Sequence, residues 1–187
     1  MSVINSALRS AAACTLLAAS SFAPASAEPS SDVLVVYFSA TGTTQKAAEA
    51  VATELKADLF AIEPVQPYTA ADLDYRDPES RSSKEHADPS VRPEYKGDPA
   101  GWDQYHTVLI GYPIWWGLAP NVVYGFVEKH DFSGKTVGTF STSATSGHGG
   151  SGTDLASKAG KGDWKYHQGF KVGDPEDAPV SWARSLK

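Results

Sequence analysis

Four hydroxyls and a glycine crowd into the six residues Ser39-Ala40-Thr41-Gly42-Thr43-Thr44. They follow an apolar run and precede a helical pattern, so they sit where the first amides of a helix point outward with partial positive charge. The hydroxyls add donors, and Gly42 lets the backbone turn tightly against an anion. A Ser/Thr helix cap needs one such residue rather than four, and the composition therefore points to a phosphate cradle. This loop forms neither G-x-G-x-x-G nor G-x-x-x-x-G-K-[ST], and it holds no Lys or Arg. A monophosphate suits it better than a triphosphate, which recruits a counter-cation and Mg²⁺.

A second unusual stretch is Gly111-Tyr112-Pro113-Ile114-Trp115-Trp116-Gly117-Leu118-Ala119-Pro120. Two adjacent indoles at the end of a strand expose a large aromatic area unless a planar ligand covers it. The alternative is that one Trp is core and the other covers the loop. A third stretch, Thr142 to Gly152, is rich in Gly, Ser and Thr, and His148 is its only titratable side chain. An imidazole titrates near neutrality, so His148 is a candidate proton donor; an exposed loop histidine is the plainer reading. The other four histidines show no metal-ligand spacing. Residues 149–153 do not fulfil Gly-x-Ser-x-Gly, which leaves hydrolase chemistry without support.

The elements that position these loops alternate in type. Residues 33–38, 59–62, 107–112 and 135–141 read as strands, the first and third of them continuous apolar runs suited to a sheet buried on both faces. Residues 168–172 are a weaker fifth strand. Helical spacing appears over 45–56, 120–130, 154–161 and 176–186, with Pro120 fitting a first helical turn. Residues 66–103 are dense in Asp, Glu, Pro and Ser and nearly free of aliphatics. So long a connection implies a short helix around 80–86 or a functional role. The alternation predicts a three-layer, doubly wound α/β sandwich on a five-stranded parallel sheet, with ligands in the crevice beyond the carboxyl ends of the strands.

Residues 1–27 stand apart. They carry one charge, Arg9, then an apolar stretch from Ala11 to Ala19, and end in Ala25-Ser26-Ala27. That stretch is about half of the ~20 residues a membrane span needs, and the small-x-small ending suits signal peptidase. The expectation is an export signal cleaved after Ala27, a domain over 28–187, and a periplasmic or secreted protein. Cys14 lacks the flanking residues of a lipoprotein signal. Removing 27 of 187 residues leaves 160, and 15 basic against 22 acidic residues give a formal charge of −7. The remaining chain has no Cys, so disulfides, thiolate nucleophiles and Cys-ligated metals are excluded from it. No later apolar stretch is long enough to span a membrane. An acidic chain with no two consecutive Lys or Arg residues is no partner for nucleic acid.

The segments Tyr37-Phe38-Ser39-Ala40-Thr41-Gly42-Thr43-Thr44, Ile62-Glu63-Pro64-Val65-Gln66-Pro67-Tyr68, Gly111-Tyr112-Pro113-Ile114-Trp115-Trp116-Gly117 and Phe132-Ser133-Gly134-Lys135-Thr136 together resemble the flavodoxin superfamily, and within it the short bacterial flavodoxin-like proteins. The resemblance implies an FMN cofactor. Its phosphate would lie on Ser39, Thr41, Gly42, Thr43 and Thr44, and its ring between Pro113, Ile114, Trp115, Trp116 and Gly117, with one Trp stacked on it. Thr142 and Ser143 would meet the ribityl chain or the pyrimidine edge, and His148 would be a donor to flavin N5 or to a quinone oxygen. Relatives often run into a compact Gly-Gly-Ser-Gly segment here, whereas this chain carries extra residues.

The implied activity is electron transfer or a small flavin-dependent oxidoreductase, with a redox partner protein or a quinone-like small molecule as counterpart. Two other readings stand beside it. One is an NAD(P)H-dependent quinone reductase, although no nicotinamide fingerprint is visible. The other is a flavin-free binding module, motivated by the longer third loop and by a leader without a twin arginine. An acidic field disfavours an anionic reduced flavin and steers basic regions of a partner.

Overall fold

The computed structural model describes residues 29–187, and the export segment expected over 1–27 lies outside the described residues. Among the described residues, five strands form one parallel sheet: β1 (Val33–Tyr37), β2 (Asp58–Ala61), β3 (Thr107–Pro113), β4 (Thr136–Ser143) and β5 (Asp163–Lys171), in the order β2-β1-β3-β4-β5. Chain direction across the sheet reverses between β1 and β3, which is the switch point where such sheets open a crevice.

Period-two alternation sends each buried strand into two cores. Val35, Tyr37, Leu109 and Phe140 pack with Ala48, Val51 and Ala52 of α1 (Thr43–Leu55) and Ala183 of α5 (Ala178–Arg184). On the opposite face Leu34, Val36, Ile110, Tyr112 and Val137 pack with Val123, Phe126 and Val127 of α3 (Asn121–Lys129) and Leu155 of α4 (Ser151–Ala159). The expected three-layer, doubly wound sandwich is the observed one.

Element boundaries differ from expectation where local chemistry overrides periodicity. Helix α1 starts at Thr43 rather than residue 45, directly after Gly42 at φ 87°. Helix α4 begins at Ser151, three residues early. A Cβ on Gly152 would stand 2.4 Å from Nδ1 of His167 and from Oγ1 of Thr139, so only glycine lets this helix settle on the sheet. Strand β5 is almost twice its expected length, and its added residues 163–167 alternate exposed and half-buried as an edge strand does.

The acidic stretch is anchored rather than loose. It contains α2 (Arg81–Ala87), begun by Ser80, whose hydroxyl accepts from the Ser83 amide. The Tyr68 hydroxyl donates to Glu85 at 2.6 Å, Arg81 Nε pairs with the same carboxylate at 2.7 Å, and the guanidinium lies 4.0 Å above the Tyr68 ring. Further along, buried Lys135 donates to the carbonyls of Trp102 and Tyr105 at 2.8 and 2.6 Å, tying the end of the excursion to β4. No helix among the described residues is long and apolar enough to cross a membrane.

Candidate functional site

Strands β1 and β3 deliver their following loops side by side at the switch point. In the first loop the Gly42 amide donates to Ser39 Oγ at 3.0 Å, which curls residues 39–42 into a tight turn. Helix α1 then starts without a side-chain cap, so its leading amides face outward. Thr41 and Thr43 are exposed, whereas Thr44 is buried and shares a 2.7 Å hydrogen bond with Thr142 at the end of β4. The first and third loops are thereby fixed to one another.

These residues open into a cleft of about 370 Å³ lined by Ser39, Thr41, Thr43, Thr44, Pro113, Ile114, Trp115, Trp116 and Thr142, joined by Ala40, Leu73, Tyr75 and Ser82. Gly42 shapes the loop from behind, Gly117 sits at the tip of the tryptophan turn, and neither lines the cleft. Ser143 points elsewhere: its hydroxyl donates to the Ser146 carbonyl. No charged side chain lines the cleft among the described residues.

The two tryptophans take different roles. Trp115 packs edge-on against Phe38 and Tyr68, at centroid distances of 5.7 and 5.3 Å, as part of the core rim. Trp116 is 40% exposed and lies parallel to the His86 ring, 4.7 Å away at 6°. Trp115 and Leu118 exchange two 3.0 Å backbone hydrogen bonds, with Trp116 at φ 48° and Gly117 at φ 82° between them. Positive φ at both central positions marks a type I′ hairpin turn. Holding a bulky residue there costs about 1 kcal/mol, and strain of this kind persists where the surroundings enforce it.

His148 is neither an exposed loop residue nor a cleft residue. Its ring turns under the loop onto the sheet, where Nδ1 lies 2.9 Å from Ser141 Oγ and Nε2 lies 3.0 Å from Thr139 Oγ1. His167 shares Thr139 from the other side at 2.7 Å. Desolvation, helped by repulsion from His167, pushes the His148 pKa down to about 4, so the ring is neutral at neutral pH. It tethers the third loop, and the geometry gives no support to a proton-donor role at the cleft. Among the described residues no group of three or more His, Cys, Asp or Glu is placed to hold a metal ion.

The family model for flavodoxin matches residues 32–183. The chain belongs to the flavodoxin family. Two solved structures provisionally named flavoproteins are similar to it over nearly their whole length. One, from Bacteroides eggerthii DSM 20697, is 44% identical with a TM-score of 0.75, covering 82% of this chain and 96% of its own. The other, from Bacteroides uniformis ATCC 8492, is 39% identical with a TM-score of 0.76, covering 81% and 97%. A flavoprotein from Lactobacillus acidophilus NCFM, solved in complex with FMN, shares the fold at 22% identity and a TM-score of 0.60, covering 80% and 95%. A search of curated proteins returns no match to this chain.

Within this flavodoxin-family cleft, Leu73, Tyr75 and Ser82 are the residues that sequence reasoning missed. Leu73 and Tyr75 carried one usable signal, as large apolar side chains in a stretch dense in Asp, Glu, Pro and Ser.

Proposed function

We propose that the chain binds FMN in this cleft and, once exported, serves in electron transfer or as a small flavin-dependent oxidoreductase. Its counterpart is a redox partner protein or a quinone-like small molecule. The observation that carries the reading is the meeting of an uncapped helix start, a hydroxyl loop and an indole pair in one cleft of about 370 Å³. A pocket of that size with apolar walls and a few convergent polar groups is what a cofactor site requires. The family and the FMN complex of a fold neighbour point the same way.

The residues fit the group. Ser39, Thr41, Gly42, Thr43 and Thr44 would receive the phosphate, and the start of α1 behind Gly42 carries no side-chain cap that would compete for its leading amides. Pro113, Ile114, Trp115, Trp116 and Gly117 would flank the ring, with Thr142 as the third-loop hydroxyl that faces the cleft. When bound, the flavin supplies reversible uptake of one or two electrons. The chain orients it through the locked Thr44–Thr142 pair and shields it from water with Leu73 and Tyr75. A lining without cations and a formal charge of −6, or −7 for a chain cleaved after Ala27, disfavour negative charge at the site and lower the potential at which it accepts electrons. Export rests on the leader, and its signature is a mature chain that starts at Glu28.

Titrating the full chain with FMN, read by flavin fluorescence and visible absorption, is expected to show binding at micromolar concentration or below. Thr41→Ala with Thr43→Ala removes two hydrogen bonds to a charged phosphate, each worth roughly 1.5 kcal/mol, so affinity should fall about 100-fold. Failure to bind micromolar FMN overturns the reading and leaves a flavin-free module.

A further inference from the structure

A second cleft of about 280 Å³ lies across the tryptophan turn from the first, between α2 and the N-terminal ends of α3 and α4. The FMN reading makes no use of it. Its apolar walls are Trp115, Trp116, Leu118, Pro120 and Tyr124, and Glu85, Arg92, Asp154 and Lys158 add charged groups to the lining. One polar atom in it is unexplained: Ser82 Oγ. That side chain is 3% exposed, and its hydroxyl has no hydrogen-bond partner among the described residues. A buried hydroxyl without a partner is destabilising by about 1–3 kcal/mol, and natural proteins keep such groups where something else satisfies them.

We infer that this second cleft binds an aromatic carbonyl compound of one or two rings, with Ser82 Oγ donating a hydrogen bond to the carbonyl oxygen. Size sets the ring count, because ligand pockets run upward from about 300 Å³ and this one lies at the small end. At about 280 Å³ it is too small to enclose a dinucleotide. Aromatic walls favour a planar ring at offset or edge contact. Charge in the lining is mixed: Asp154 accepts from the Tyr124 hydroxyl, Glu85 is held by Tyr68 and Arg81, Arg92 pairs with Glu128 and Lys158 adds a cation, so a ligand cation finds no free carboxylate. Ser82 also borders the first cleft, and the indoles of Trp115 and Trp116 form the wall between the two. Binding in the second cleft does not depend on the FMN reading.

The test uses a matched pair of probes on the full chain, 1-tetralone and tetralin, which share a shape and differ by the carbonyl. Calorimetric titration should show tetralone binding about fivefold to tenfold more tightly than tetralin, the worth of one hydrogen bond to an otherwise unpaired donor. Ser82→Ala should erase that preference while leaving tetralin affinity unchanged. Leu118→Asp, at the mouth, should weaken both probes and leave FMN uptake as it is. Equal affinity of the two probes, no binding of either at millimolar concentration, or competition between tetralone and FMN would each overturn the inference. Loss of FMN binding with the tetralone preference intact would instead remove only the flavin reading.

Discussion

Trp116 holds a backbone conformation that Asn or Gly would take more easily, and it does so at the entrance to both clefts. Left-handed φ at a bulky residue costs about 1 kcal/mol, and its parallel contact with His86 returns roughly the same amount. Trp116→Asn exchanges one for the other. The melting midpoint should therefore move by less than about 4 °C, while FMN affinity falls at least tenfold through loss of the indole face. Thermal melts and FMN titration of the same variant check both parts, and an unchanged FMN affinity would show that this indole does not touch the ring. At this scale the hydroxyl loop and the tryptophan pair were legible, because each concentrates one unusual side-chain type in a few consecutive residues. Ser82 was not, since its importance lies in the lack of a partner, a property of packing. His148 was misplaced for a related reason. The hydroxyls that capture it come from Thr139 and Ser141, and only the pleat and register of β4 put those on its side of the sheet.

Helix α1 carries its own strain at the opposite end from the phosphate loop. Lys56 closes the helix at φ 54°, its amide reaching the Thr53 carbonyl at 3.3 Å and the Ala57 amide reaching the Ala52 carbonyl at 2.9 Å. That double bond pattern is a Schellman motif, in which glycine is the usual residue at the left-handed position. Lys56→Gly relieves about 1 kcal/mol of left-handed strain and returns part of it as entropy of the unfolded chain. A net gain of about 0.5 kcal/mol is expected in urea unfolding at unchanged slope, and any loss would show that the lysine side chain contributes there. Elements buried on two faces, such as β1 and β3, were legible as continuous apolar runs. Strand β5 was legible only in part. Its first half pairs along the sheet edge through alternating residues, and the ladder skips Lys165 at a bulge opposite Val137 and Gly138. Both features blunt an edge and also break the apolar signature. The acidic excursion hid a built wall for the same reason, because it is held by the Tyr68–Glu85–Arg81 cluster rather than by a hydrophobic stripe.

The whole molecule combines an acidic field, formally −6, with three imidazoles whose pKa values lie below the ordinary 6.5: His148 at about 4, and His130 and His167 lowered by desolvation. A histidine depressed in the folded state takes up its proton more readily after unfolding. Its contribution to stability is fully present above about pH 6.5 and is lost as pH falls toward the folded value. The carboxylates of Asp58, Asp98 and Glu128 are also held low, by hydrogen bonds and by Lys129 and Arg92, but their contributions persist until pH falls below about 4. Between pH 6.5 and 4.5, then, the histidines dominate the slope. Each can add at most about 1.4 kcal/mol per pH unit, reduced by the partial exposure of the rings. Diffuse repulsion among surface carboxylates works in the opposite direction, relaxing as they protonate, yet at 0.15 M salt it is screened beyond about 8 Å and is the smaller effect. Urea unfolding across this range should show stability falling with acidity, and His148→Gln should flatten the fall whatever it does to stability at pH 7. A variant curve parallel to that of the parent would mean that His148 is not the half-buried ring that desolvation keeps neutral.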